Sequence, residues 1–242
     1  ALEQVGHLDA DFRFATEGKE FHYATVGTPL DQWGPWREDR TGPYKVGLHV
    51  VTEAVAGLLT PEAISDFTRF FTVFATDSGH RKIKVIARYQ QYLAANAIVA
   101  RVREGRVKKG LIWHFQGSGK SLLMVFTAKR LRVENDLNAP TVLIVVDRLD
   151  LDTQIGDTFS ATDVPNVVST DSREELHSLL RAGTRKIIIT TIHKFGEADG
   201  VLDDRENIVA MVDEAHRSQE GDFGRQMRAA LPNAFLFGLT GT

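Results

Sequence analysis

The stretch that decides the fold of this chain is LIWHFQGSGKS, residues 111–121. Its first three residues are apolar and predict a short strand, and the sequence SLLMVFTAKRLRV from Ser121 onward predicts a helix. A glycine-rich turn joins the two. This is the order of a phosphate-binding loop, in which glycines let phosphate approach the backbone and the helix N-terminus attracts the anion.

Each position of the loop then has an expected role. The predicted nucleotide-binding residues are Gly117, Ser118, Gly119, Lys120 and Ser121. Lys120 would reach the β- and γ-phosphates of the nucleotide, and Ser121 would hold Mg²⁺. One residue departs from the full pattern, because His114 occupies the position of the first glycine.

The composition sets broad limits on the function. The 242 residues are 43% hydrophobic and 25% charged, which is typical of a globular protein with a sizeable core. The net charge of −3 argues against a basic nucleic-acid coat protein. The lack of cysteine excludes disulfides and thiolate metal sites and fits a cytoplasmic location. There is no secretory leader and no apolar run of membrane-spanning length, so we expect no membrane partner.

The chain before the loop is expected to form a short β-rich piece and then helices. Aromatic residues on both sides of residues 16–19 predict a hairpin. Glu17 and Lys19 have the spacing of a nuclease motif, but their polar turn favours a plain turn. Helices are predicted over 44–80, with Thr60 as an N-cap and a core stripe of Ile64, Phe67, Phe70, Phe71 and Phe74.

A loop is predicted over residues 77–84, and a further helix over 88–103. A basic run overlaps the end of that helix and is either a solvated face or a nucleic-acid patch. Its members are Arg101, Arg103, Arg106, Lys108 and Lys109.

From Gly110 onward strands and helices alternate, which predicts an α/β fold with a doubly wound parallel sheet. The predicted strands are 110–115, 141–146, 166–169, 186–190, 208–212 and 234–238. The predicted helices begin at 120 or cover 150–158, 172–182 and 221–230. In such sheets ligands bind beyond the carboxyl ends of the strands, where the polar signatures of this sequence fall.

The strand at 208–212 is followed by Asp213, Glu214, Ala215 and His216. We expect Asp213 to hold the Mg²⁺ that Ser121 also contacts, and Glu214 to orient or activate the attacking water. His216 is either structural or couples the site to its surroundings. Together with the phosphate-binding loop, these residues predict ATP hydrolysis.

The motifs FQGSGKS, DEAH and TGT, in this order, resemble the first motor domain of superfamily 2 helicases and translocases. The stretches IWHFQGSGKSLLMVF, VVDRLDLDTQI, IIITTIHKF and VDEAHRSQEGDFGRQMRAALPNA further resemble the restriction subunit of type I restriction-modification enzymes. That family commonly has His or Thr at the position of His114. The resemblance extends over residues 26–242 and is weakest before 40.

The resemblance implies a RecA-like P-loop NTPase domain with ATP and Mg²⁺ as cofactors, and it assigns roles residue by residue. ARYQQYLAANAIVARV (87–102) corresponds to the adenine-reading segment, with Gln91 as the contacting residue and Gln90 as the alternative register. Thr240 and Thr242 would link the nucleotide state to the grip on DNA. The residues that would contact the DNA backbone are Arg148, Gln154, Thr190, Thr191 and Lys194. Phosphate contacts of this kind need no base recognition, which suits a translocase.

The resemblance also implies partners and a division of the chain. The partners are double-stranded DNA, the modification and specificity subunits, and a second motor domain beyond residue 242. We expect 1–43 to be the tail of an upstream nuclease domain and a linker, 44–105 a helical linker with the adenine-reading segment, and 106–242 the first motor domain. Without the second domain's arginine finger, worth about 10³–10⁵ in rate elsewhere, these residues alone would bind ATP weakly and hydrolyse little.

Two other functions are compatible with the same residues. A type III restriction or repair motor would share the motor motifs. A non-catalytic, nucleotide-gated scaffold would also fit, although the presence of Lys120, Asp213 and Glu214 favours an enzyme.

Overall fold

A computed structural model of the chain describes residues 12–37, 46–76, 81–115, 117–146, 149–162, 164–196, 200–213 and 222–241. The side chains of residues 149–154, 222 and 223 also lie outside this description. The chain divides into two compact units, residues 1–90 and 91–242. The division predicted from the sequence, with boundaries after 43 and 105, stays a prediction.

The first unit is built around aromatic side chains. Strands β1 (Phe12–Thr16) and β2 (Phe21–Thr25) form the predicted antiparallel hairpin, and the short β3 (Gly34–Pro35) pairs with β2. Helices α1 (Leu48–Leu58) and α2 (Pro61–Arg69) follow. The Phe67 ring is fully buried, and its centroid lies 5.8–6.0 Å from those of Phe12, Tyr23, Trp36 and Phe71. The predicted N-cap is confirmed, because the Thr60 hydroxyl accepts a hydrogen bond from Ala63 N–H.

The prediction of helices up to residue 80 and a loop over 77–84 was wrong in part. Strands β4 (Thr72–Thr76) and β5 (Lys82–Ile86) form an antiparallel pair in this region. Phe74 therefore lies on a strand and is 52% exposed, and Ile64 is also exposed. Neither residue is in the core, although the predicted core stripe includes both. The sequence TVFAT is rich in β-branched and aromatic residues, which fit a pleated surface better than a helix.

The second unit contains the predicted parallel sheet. Helix α3 (Tyr89–Glu104) leads into it, and the elements then alternate. In chain order they are β6 (Lys109–Trp113), α4 (Lys120–Val133), β7 (Thr141–Val146), α5 (Leu149–Ala161), β8 (Val167–Ser169), α6 (Arg173–Arg181), β9 (Ile187–Thr191), β10 (Ile208–Val212), α7 (Asp222–Ala230) and β11 (Phe235–Thr240). The strands are ordered β6-β11-β10-β7-β9-β8, and every pair is parallel.

The core of this unit lies along the central strands. All residues of β7, β9, β10 and β11 are buried, as expected for parallel strands covered on both faces. β6 differs, because it is an edge strand of the described sheet and its Leu111 and Trp113 side chains are 70% and 68% exposed. The RecA-like α/β fold predicted from the sequence is confirmed.

The parallel arrangement determines where polar loop residues gather. The register pairs Trp113 with Thr240 and Val212 with Gly238, so the carboxyl ends of β6, β11 and β10 lie side by side. Among the described helices, none has the length and apolar character needed to cross a membrane.

Candidate functional site

The loop between β6 and α4 is held by backbone hydrogen bonds, one to strand β11 and one within the loop. His114 N–H donates to Thr240 O at 2.8 Å, which extends the β6–β11 ladder by one residue. Ser118 N–H donates to Phe115 O at 3.1 Å. Gly117 and Gly119 have φ angles of +79° and +82°, a left-handed conformation that glycine adopts without strain. The loop therefore has the sharp double turn that brings its backbone to the start of the helix.

Helix α4 begins at Lys120 and offers an uncapped N-terminus to the loop. Gly119 is its N-cap and has no side chain, and the first turn contains no acidic residue. The N–H groups of this turn and the positive end of the helix dipole therefore favour an anion. Lys120 and Ser121 lie in this turn and are half-buried. This arrangement can bind phosphate.

Gln91, the predicted adenine-contacting residue, lies against the loop itself. Its side chain is 2% exposed, and Nε2 donates to Gly119 O at 3.0 Å and to Ser118 O at 3.4 Å. The approach is so close that a Cβ atom on Gly119 would stand 2.5 Å from Nε2. Gln91 of helix α3 thus positions the loop, a contact that sequence analysis did not find.

His114 also contacts the loop through its side chain. The imidazole and Ser118 are both buried, and His114 Nδ1 lies 3.3 Å from Ser118 Oγ. From the sequence, His114 is a departure from the general glycine pattern and a residue common at this position in the resembling family, and neither observation predicts this contact. The spacing of four residues across a tight turn is the signal that could have indicated it.

Asp213 follows β10 and is 6% exposed. Its N–H donates to Val145 O at 2.8 Å, which fixes the backbone at the strand end. One strand, β11, separates β10 from β6, so the two strand ends are about 10 Å apart. Asp213 has further interactions, and its Oδ1 atom is buried without a hydrogen-bond partner among the described residues. A carboxylate at Asp213 and a hydroxyl at Ser121 are oxygen ligands of the kind Mg²⁺ prefers.

The other predicted catalytic residues, Glu214 and His216, lie outside the described residues, as do Arg148 and Thr242. The backbone of Gln154 belongs to α5, but its side chain is outside the description.

The remaining predicted DNA-contacting or coupling residues lie at, or just after, the carboxyl ends of β9 and β11. Thr190 and Thr191 end β9 and are buried, and Thr190 Oγ1 has no hydrogen-bond partner among the described residues. Lys194 is half-buried in the 3₁₀ turn Ile192–Phe195, and its carbonyl accepts a hydrogen bond from His177 Nε2 at 3.3 Å. Thr240 is buried at the end of β11.

The basic run after α3 is extensively paired. Arg103 forms an ion pair with Asp136 at 2.9 Å, and Lys108 forms one with Glu206 at 3.2 Å. Arg101 donates to Lys109 O at 2.9 Å. These contacts favour a solvated structural face over a nucleic-acid patch.

Comparison with known proteins agrees with the motifs. Residues 90–242 match the SWI2/SNF2 ATPase family. The HindI endonuclease subunit, from a type I restriction enzyme of Haemophilus influenzae, is 38% identical over 214 residues, covering 77% of this chain and 20% of that protein. A type I restriction enzyme endonuclease subunit of Staphylococcus saprophyticus is 33% identical over 181 residues, covering 72% and 19%.

Among solved structures, the Sulfolobus solfataricus SWI2/SNF2 ATPase core in complex with dsDNA is 16% identical, with a TM-score of 0.48. The match covers 63% of this chain and 31% of that chain. The chain spans about one fifth of the length of the two curated relatives. It belongs to the SWI2/SNF2 ATPase family, and its resemblance to the endonuclease subunits of type I restriction enzymes is confirmed.

Proposed function

We propose that this chain is the ATP-dependent motor part of a type I restriction endonuclease subunit, and that it couples ATP hydrolysis to movement of double-stranded DNA before cleavage. The observation that carries the proposal is the loop at 114–121, which leads into an uncapped helix, together with the buried Asp213 at the end of β10, one strand away from β6 in the sheet order. The relatives favour a type I subunit over a type III or repair motor.

In this proposal each side chain of the site has one task. The loop N–H groups and the Lys120 ammonium bind the β- and γ-phosphates, and the helix dipole adds to the attraction. Ser121 and Asp213 hold Mg²⁺, which when bound neutralises charge that develops on the transferred phosphoryl group. Glu214 orients the attacking water. A second motor domain of the same polypeptide supplies the arginine finger, so residues 1–242 alone hydrolyse ATP slowly.

The DNA-contacting role falls on the segment after β9 and on Arg148 and Gln154. The burial of Thr190 and Thr191 favours a supporting role for their side chains, with Lys194 as the cation that contacts a DNA phosphate. Such contacts are independent of base sequence. Thr240, Thr242 and His216 couple the nucleotide state to the grip on DNA. The modification and specificity subunits are the proposed protein partners, the latter providing sequence recognition.

The test is DNA-stimulated ATPase activity of the full-length subunit with Lys120→Ala. We expect activity to fall by about 100-fold or more, because a charged donor to the reacting phosphate is removed. Lys129→Ala is the matched control, since Lys129 lies in the same helix but outside its first turn and the loop. Unchanged ATPase activity in Lys120→Ala would refute the motor function and leave a nucleotide-gated scaffold as the better explanation.

A further inference from the structure

We propose that His114 is a positioning residue for the phosphate-binding loop. It stands where the general loop pattern has a glycine, and its imidazole holds Ser118 so that the loop keeps its phosphate-binding shape before nucleotide arrives. The inference rests on the proposed function in one respect, namely that this loop binds the phosphates of a nucleotide.

Ser118 is held at three separate points. Its N–H donates to Phe115 O at 3.1 Å, and its carbonyl accepts from Gln91 Nε2 at 3.4 Å. The third point is the side chain, since Ser118 Oγ lies 3.3 Å from His114 Nδ1. The first two contacts use backbone atoms and would exist with any residue at 118. The contact with His114 depends on the side chains of both residues.

The position of His114 is itself fixed by the sheet. Its N–H donates to Thr240 O at 2.8 Å, as the continuation of the β6–β11 ladder. The imidazole is 8% exposed, so its position is restricted by packing as well as by the backbone. A glycine at this position would keep the backbone bond but would lose the contact to Ser118. His114 therefore connects Ser118, through its side chain, to the end of strand β11, through its backbone N–H.

The chemistry of the pair makes the contact robust. A serine hydroxyl can donate or accept, so it can pair with Nδ1 in either neutral tautomer and in the protonated ring. Because the loop is ordered in advance, binding does not have to supply the ordering free energy. The effect is therefore expected on nucleotide affinity, and not on the reaction of bound ATP.

The experiment is equilibrium titration of the full-length subunit with Mg-ADP, measured by calorimetry. His114→Gly should raise the Kd about 3–10-fold, the loss expected for one net hydrogen bond. His114→Asn places an amide atom where Nδ1 stands and should keep the Kd within about twofold of wild type. His114→Gln places its amide nearer to the position of Nε2 and should bind as weakly as His114→Gly. The two amide variants are matched controls for burial and polarity.

A double-mutant cycle tests the partner. Ser118→Ala should raise the Kd for ADP as His114→Gly does. The double variant should have a Kd no higher than that of either single variant, because both changes remove the same contact. Thermal unfolding of each variant verifies that it is folded. Equal affinities for His114→Asn and His114→Gln, or additive losses in the cycle, would overturn the positioning role.

Lys120→Ala separates this inference from the proposed function. If Lys120→Ala binds Mg-ADP as wild type does, or if wild type binds none, the loop is not the nucleotide site and both proposals fail. If Lys120→Ala loses binding while His114→Gly retains wild-type affinity, the nucleotide site stands and the role of His114 is refuted.

Discussion

Replacing Gly119 with alanine tests whether Gln91 fixes the loop at 114–121. Gly119 has a φ of +82°, and a Cβ atom there would stand 2.5 Å from Gln91 Nε2. Gly117→Ala is the matched control, because Gly117 has a φ of +79° and a Cβ atom there would meet nothing within 4 Å. Both variants place an alanine at a positive φ, and only one displaces the glutamine.

The magnitudes follow from these contacts. An alanine in the left-handed region costs about 1–2 kcal/mol at either position. At Gly119 the buried Gln91 must also move and give up its hydrogen bonds to Ser118 O and Gly119 O, at a net cost of about 1–3 kcal/mol. Gly119→Ala should therefore lower the free energy of unfolding by about 1–3 kcal/mol more than Gly117→Ala, at about 2–4 °C of Tm per kcal/mol.

The assay is thermal unfolding followed by circular dichroism, on both variants with and without Gln91→Ala. In the Gln91→Ala background, the two alanine substitutions should lower the Tm by the same amount. Equal Tm losses in the presence of Gln91 would refute the reasoning, because they would show that the loop tolerates a side chain against α3.

Two further predictions concern the first unit. Burial raises the pKa of the Tyr23 phenol, whose hydroxyl donates to Ala87 O at 2.8 Å. The stabilisation by the neutral phenol is therefore complete below about pH 10 and is lost as pH rises, by up to about 1.4 kcal/mol per pH unit. Urea unfolding at pH 9 and 11 should show this loss in wild type and a smaller loss in Tyr23→Phe. Thr60→Ala removes the N-cap of α2 and should lower the free energy of unfolding, measured in urea, by about 0.5–2 kcal/mol. Thr52→Ala, in the exposed part of α1, should lower it by less.

The parallel sheet could be predicted because its information is local. A run such as TVLIVV has one stable solution, a strand buried on both faces, and the glycines and lysine of the loop have a fixed place between a strand and a helix. Asp213 could be predicted for the same reason, as a polar residue directly after an apolar strand.

The β4–β5 pair could not be predicted because its stability comes from distant residues. The phenylalanine spacing before it fits a helix as far as Phe74, and only the contacts made by β5 decide the outcome. Lys84 O accepts from Thr25 Oγ1 at 2.7 Å, and Ala87 O accepts from the Tyr23 hydroxyl. No local pattern contains a hydrogen bond between residues so far apart in sequence.

The same limit applies to the candidate site. The residue types of the loop indicate phosphate binding, but the contact of Gln91 with Gly119 depends on how α3 packs. The burial of Thr190 and Thr191 likewise follows from their place in the sheet, which their sequence context does not reveal.

Strand β6, which leads into the loop at 114–121, is also an edge of the described sheet, and its Leu111 and Trp113 side chains are exposed, as is Phe115 in the loop. An edge strand can accept a further strand, whether from the same polypeptide or from another. Such an addition would pair with the backbone that leads directly into His114 and Gly117, and would restrict its motion. If the loop binds nucleotide as proposed, its affinity would then depend on what pairs with this edge strand, although the added strand would not touch the nucleotide.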